Sequence, residues 1–242
     1  MANREDLNWK LFPNGMSVVI PVFNEKSTIK EIIERVKATN LVKQIILVDD
    51  CSTDGTRTIL EEIKQQNDPM LTVDFHSENK GKGAAVRTGI SLVRGDIILI
   101  QDADLEYDPC DYPILLKPML DGRADVVFGS RFLGGPHRVL FFWHYVVNKI
   151  LTFLSNVLTG LNLSDMEVGY KVFKTEIFKK ITIKSDRFNF EPEITAKVAK
   201  NKLKIYEVPI SYSGRTYDEG KKIGMMDGFE ALWTIFKYRF TD

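Results

Sequence analysis

The stretch Asp96-Ile97-Ile98-Leu99-Ile100-Gln101-Asp102-Ala103-Asp104 runs an unbroken apolar segment into a pair of carboxylates. A short continuous aliphatic run bounded by polar residues reads as a strand covered on both faces. Four more runs have the same character: 16–20 (MSVVI), 44–48 (QIILV), 71–73 (LTV) and 124–128 (ADVVF). Between them the apolar residues take helical spacing, as at Ile29, Ile32, Ile33 and Val36, or Ile59 and Ile63. Strands alternating with helices predict an α/β fold, a mostly parallel Rossmann-like sheet with helices on both faces. After Arg131 the pattern turns to a long apolar helix, then strands near 170–173 and 204–210, and a last helix over about 227–238.

Open parallel sheets bind ligands at the carboxyl ends of their strands, so the residues after each run matter most. Pro21-Val22-Phe23-Asn24-Glu25 follows the first and Asp49-Asp50-Cys51-Ser52-Thr53-Asp54-Gly55-Thr56 the second. Glu78-Asn79-Lys80-Gly81-Lys82-Gly83 follows the third and Gln101-Asp102-Ala103-Asp104 the fourth. In an extended backbone Asp102 and Asp104 face one side and can reach one cation, with Glu106 able to add a third oxygen. Hard oxygen ligands suit Mg²⁺ or Mn²⁺. Capping of the helix that begins near Asp111 is the plainer alternative for these acids. Gly81-Lys82-Gly83 opens a helix whose N-terminus suits an anion. It is not a Walker loop, and Val86 stands where a dinucleotide fingerprint wants its third glycine. Asp54 reads as a helix cap, Asp50 as an acceptor for a base or ribose, and Asn24-Glu25 as either cap or ligand.

Thirty-three basic residues balance thirty-three acidic ones, which argues against a globally basic nucleic-acid binder. Two cysteines, Cys51 and Cys110, exclude a disulfide framework and make a reducing compartment the default. The N-terminus has no secretory pattern, and Lys149, Asn148, Ser155 and Asn156 interrupt the most apolar region, so no spanning helix is expected. A length of 242 residues without linker or repeat is read as one domain.

Taken together, 20–25 (IPVFNE), 48–56 (VDDCSTDGT), 79–83 (NKGKG), 102–104 (DAD) and 129–132 (GSRF) resemble glycosyltransferase family 2, in its dolichol-phosphate mannose synthase type. The resemblance continues through 165–173 (DMEVGYKVF), 190–193 (FEPE) and 214–222 (GRTYDEGKK), nearly the whole chain. It implies a GT-A-type fold over residues 1–242, with a nucleotide-sugar part at about 14–131 and an acceptor side at about 132–242. It implies an inverting hexosyl transfer from a nucleotide-diphosphate sugar, GDP-mannose or UDP-glucose, assisted by Mg²⁺ or Mn²⁺. By position, Pro21, Phe23, Glu25 and Asp50 would hold the nucleoside. Asp102 and Asp104 would meet the metal and diphosphate, and Arg131 and Arg215 would neutralise phosphate charge. Glu106 stands where the type usually has glutamine.

Lys82, and Lys221 and Lys222 in a glycine-flanked loop, are read as further donor-side cations, although a solvated basic loop accounts for the latter pair equally well. A hydroxyl acceptor needs a base, for which Asp165 and Glu167 are candidates, and these acids could instead orient Arg131. A polyprenyl phosphate is already deprotonated and needs none. The segment 138–145 (RVLFFWHY) reads as an interfacial helix at a cytoplasmic membrane face or as a core helix or oligomer contact. A membrane-anchored partner and a homo-oligomer both stay open. A non-catalytic sugar-nucleotide module would lack the acid pair, and a nucleotidyltransferase would want a glycine-rich basic loop where Pro21 to Glu25 stands.

Overall fold

Each apolar run is a strand of one seven-stranded sheet in the computed structural model, which describes residues 7–139, 141–220 and 225–241. Strands β1 (Met16–Val22), β2 (Val42–Asp49), β3 (Leu71–Phe75), β4 (Ile97–Ile100) and β5 (Val126–Ser130) come from the first half, β6 (Lys171–Lys174) and β7 (Ile205–Pro209) from the second. Their order is β3-β2-β1-β4-β6-β5-β7. Four pairings are parallel, β1 with β2 and β4, β2 with β3, and β5 with β7. The exception is β6, inserted antiparallel between β4 and β5.

Five successive residues of β1, Met16 to Ile20, are buried, as are all four of β4, so both faces of the sheet are covered. Helix α1 (Ile29–Ala38) buries Ile29, Ile32, Ile33 and Val36, the i, i+3, i+4, i+7 stripe that the spacing predicts. Helices α2 (Thr56–Gln65), α3 (Lys82–Ser91), α4 (Tyr112–Leu120), α5 (Phe142–Thr159), the short α6 (Thr175–Phe178), α7 (Phe190–Lys200) and α8 (Met225–Phe240) complete the layers. Gly89 lets α3 lie directly on Val19 of β1, where a Cβ would overlap the valine side chain.

Helices α5 and α8 pack on each other away from the main core, around Leu151, Met166, Ala231 and Ile235. Their outer faces stay apolar and bare: Trp143 is 72% exposed, Phe153 65%, Trp233 70% and Phe240 80%. Among the described residues no helix is long and apolar enough to cross a membrane.

Candidate active site

The carboxyl ends of β1, β2 and β4 converge as the alternation predicts, but the acid pair is not in extended backbone. β4 stops at Ile100, and residues 103–107 form turns with Leu105 at φ 63°. Asp104 closes the turn by accepting the Glu106 N–H at 3.0 Å. The turn rests on a buried amide: Gln101 accepts from the hydroxyls of Tyr112 (2.8 Å) and Tyr170 (2.6 Å) and donates to the Asp102 carbonyl at 2.9 Å. Tyr107 accepts the Gly169 N–H at 3.0 Å. Gly169 carries no side chain because a Cβ there would overlap the Asp102 carboxylate and crowd the Tyr107 ring. Gly169→Ala should therefore displace Asp102 and lower catalytic turnover about tenfold or more, while the melting temperature changes little, a split that paired rate and melting measurements will read.

Three cations stand at this edge, two of them on the acid pair and the third, Arg131, on Asp165. Lys82, at the first turn of α3, places its ammonium 2.9 Å from Asp102 Oδ1 and 2.9 Å from Glu191 Oε1. Burial works against its charge, yet Asp102 and Glu191 hold it protonated, well above the usual lysine range. Arg215, on the loop after β7, forks onto both oxygens of Glu25 at 2.8 and 3.1 Å and lies 3.5 Å from Asp104 Oδ2. Burial, then the charges of Asp102 and Glu106, push the Asp104 carboxyl up to about 7 against the pull of Arg215. Arg131 grips Asp165 with Nε and Nη2, both at 2.7 Å, and its backbone N–H adds a third bond at 3.1 Å. Its guanidinium also lies 5.2 Å from the Tyr212 ring centroid. Burial alone would raise the Asp165 carboxyl, but Arg131 overrides it and holds the group below the ordinary range.

Asp102 and Asp104 fit a divalent cation: two acids stand together at the strand end, and burial and then mutual repulsion have lifted one of them. Glu106, read as a third oxygen for the cation, is engaged elsewhere in this structure. Its oxygens accept from the Tyr212 hydroxyl at 2.9 Å and the Arg215 backbone N–H at 2.7 Å, so it braces the Arg215 loop. Among the described residues no cluster of three or more His, Cys, Asp or Glu side chains is arranged around one point as a metal site.

Other predicted residues stand at the same edge in different roles. Asp50 accepts from the backbone N–H groups of Lys80 (2.8 Å) and Gly81 (2.7 Å) and pairs with His76 Nδ1 at 2.7 Å. The anion at the entry to α3 is thus the protein's own carboxylate, which ties the second loop to the third. Glu25 accepts the Thr28 hydroxyl at 2.8 Å at the head of α1 and also binds Arg215, and its side chain makes no backbone cap of that helix. Asp54 accepts the Thr56 N–H at the start of α2, as a cap does. Pro21 lies in β1 opposite Val48 of β2, and Phe23 is half-buried just beyond the strand end. A cavity of about 480 Å³ opens at the loop after β1, lined by Asn24, Glu25, Lys26, Asp54, Arg215 and Gly220 among others. Lys221 and Lys222 lie outside the described residues.

Glu167, the second candidate base, is pushed up to about 8 by burial and then by Glu191, against the pull of Lys171. Burial lowers Lys171 in turn to about 8, and its ammonium donates to the carbonyls of Met166 and Val168. Sequence reasoning missed Gln101, Tyr212 and Glu191 as parts of the site. The signal for Glu191 was its place in the 190–193 (FEPE) stretch, with acids on both sides of Pro192.

A family model described as "Glycosyl transferase family 2" matches residues 17–182. The hexosyltransferase Agl6 of low-salt glycan biosynthesis in Haloferax volcanii is 34% identical over 205 residues, 83% of this chain and 48% of Agl6. Polyprenol monophosphomannose synthase of Mycolicibacterium smegmatis is 30% identical over 214 residues, 86% of this chain and 80% of that enzyme. The chain thus spans about half of Agl6 and most of the mannose synthase. Among solved structures, glucosyl-3-phosphoglycerate synthase of Mycobacterium tuberculosis, in complex with Mn²⁺, UDP and phosphoglyceric acid, superposes with a TM-score of 0.77. It is 18% identical, and the match covers 100% of this chain and 84% of that one, a likeness of fold. With its sheet, its loop order and its sequence in agreement, the chain belongs to glycosyltransferase family 2.

Proposed function

We propose that this glycosyltransferase moves a hexose from a nucleotide-diphosphate sugar to a polyprenyl phosphate at a membrane surface, with inversion at the sugar carbon. The observation that carries the choice of acceptor is the bare aromatic face of α5 and α8, which begins beside Arg131: Phe132 packs edge-on against Tyr145 of α5 at 5.2 Å. A helix pair with tryptophan and phenylalanine outward and no spanning length suits the bilayer interface. The state of Asp165 agrees with it. Locked onto Arg131 and held below the ordinary carboxylate range, Asp165 is a weak base for a hydroxyl acceptor. A phosphate acceptor arrives already ionised.

Mg²⁺ or Mn²⁺ held by Asp102 and Asp104 would supply Lewis-acid stabilisation of the departing diphosphate. The protein's part is electrostatic and positional. Arg215 and Lys82 bring positive charge to the leaving group from two sides of the cleft, and the buried Gln101 network keeps the acid turn rigid beneath them. Arg131, aimed by Asp165, brings charge from the acceptor side. Glu25, Phe23 and the cavity beside Asp54 receive the nucleoside, a GDP or UDP moiety.

Labelled GDP-mannose and UDP-glucose, supplied with Mn²⁺ and polyprenyl phosphate in vesicles, test this. Lipid-linked sugar is the expected product. Sugar appearing only on hydroxyl acceptors would remove the lipid from the reading, and no consumption of any donor would remove the transfer. The double variant Trp143→Ser, Trp233→Ser should cut vesicle association about tenfold or more in a sedimentation assay. Transfer to a short, water-soluble polyprenyl phosphate should stay near the wild-type rate.

A further inference from the structure

We infer that Glu191 is a positioning residue for the transfer, holding Lys82 at the diphosphate subsite through the change from empty to loaded enzyme. The inference rests on the donor reading above and goes beyond it in giving a role to the Phe190-Glu191-Pro192-Glu193 turn. The two acids of this turn do different things. Glu193 accepts from the N–H groups of Lys184 (2.8 Å) and Ser185 (2.6 Å) and from Lys197 at 2.6 Å, which fixes the loop leading into α7. Glu191 makes no such brace. Among the described residues Lys82 is its only side-chain donor, and its Oε2 is buried with nothing donating to it. A carboxylate with 5% of its side chain exposed and one hydrogen-bonding partner, with Lys171 acting on it through charge alone, adds little to stability, since desolvation offsets such pairing.

The two residues sit on elements clamped together at the backbone. The Ala84 N–H donates to the Asp186 carbonyl at 3.1 Å, and Arg87 Nη1 donates to the Ser185 carbonyl at 2.6 Å. Gly81 and Gly83 bring the start of α3 so close to Ser185 and Asp186 that a Cβ at either would overlap a carbonyl oxygen. The distance between Lys82 and Glu191 is therefore set by the scaffold. A cation that takes up the Asp102 carboxylate repels the ammonium beside it, so the Lys82–Asp102 contact must loosen on loading. The Glu191 contact need not. It leaves Lys82 tethered, with donors turned toward the phosphate oxygens that accompany the cation.

A double-mutant cycle read by calorimetry tests this, with Mn²⁺ plus UDP or GDP as ligand and the matching nucleoside as control. Glu191→Ala and Lys82→Ala should each weaken the nucleoside diphosphate about tenfold, and the double variant should bind no more weakly than Lys82→Ala alone. Glu191→Gln, whose amide oxygen still accepts from Lys82, should recover most of the loss, and nucleoside affinity should stay constant throughout. Additive losses, an unchanged diphosphate affinity in Glu191→Ala, or an equal loss for the nucleoside would overturn the role of Glu191. A wild-type protein that binds neither nucleoside diphosphate would overturn the donor reading as well, so the two failures are distinct.

Discussion

Asp104→Asn should reduce sugar transfer about a thousandfold or more and make the metal-free protein more stable at pH 8. Asp104 is poorly tolerated as an ion by its surroundings, lifted to about 7 by burial, Asp102 and Glu106. A carboxyl whose folded pKa is raised binds its proton more tightly folded than unfolded. Its ionisation therefore costs nothing below about pH 4, costs progressively more as pH rises, and costs its full amount above about pH 7. Asparagine keeps the acceptor for the Glu106 N–H and removes the charge, which should be worth on the order of 2–4 kcal/mol at pH 8 and little at pH 4. Melting temperatures at the two pH values, beside transfer rates, check both halves. A variant that lost activity without gaining stability at pH 8 would mean that Arg215 already compensates the charge.

Asp165→Ala should destabilise the protein by about 3–5 kcal/mol, since it leaves a buried guanidinium without its carboxylate. It breaks all three bonds from Arg131. Glu207, which accepts the N–H groups of Ser164 and Asp165, remains but points at backbone and cannot replace the lost charge. The Asp165 carboxyl is held below its ordinary value, so the pair stabilises the fold above about pH 4 and is lost only as pH falls through the lowered value. Stability from this source should be flat between pH 5 and 8. Denaturant midpoints of Asp165→Ala and Asp165→Asn check it. Activity lost in Asp165→Asn with an unchanged midpoint would return Asp165 to the role of base.

The first half of the fold was legible because its central strands are largely apolar and buried on both faces, as in β1 and β4. Which loops meet at the site was legible for the same reason, since parallel strands deliver their carboxyl ends to one edge. What the side chains do there was not. Glu25 and Arg215 form their fork across 190 positions of sequence, and no local spacing encodes such a pairing. Asp50 reads as an acceptor for a base or ribose, and only the fold shows that it also accepts the Lys80 and Gly81 N–H groups. Glu106 reads as a third oxygen for a cation, and only the fold shows it accepting from Tyr212, 106 positions away. The aromatic character of 138–145 was visible, but only packing shows that α8 doubles it with Phe229, Trp233 and Phe240.

The antiparallel β6 also fixes an order of assembly. As the chain leaves the ribosome, β3, β2, β1 and β4 can pair from the first 100 residues, because each finds its neighbours among the others. β5 is made next and finds none: its hydrogen-bonding partners are β6 and β7 alone. Its five buried residues wait as an unpaired, sticky segment until residues 171–174 emerge and bridge it to β4. A nascent chain paused between residues 131 and 170 should recruit holdase chaperones, and release past β7 should let them go.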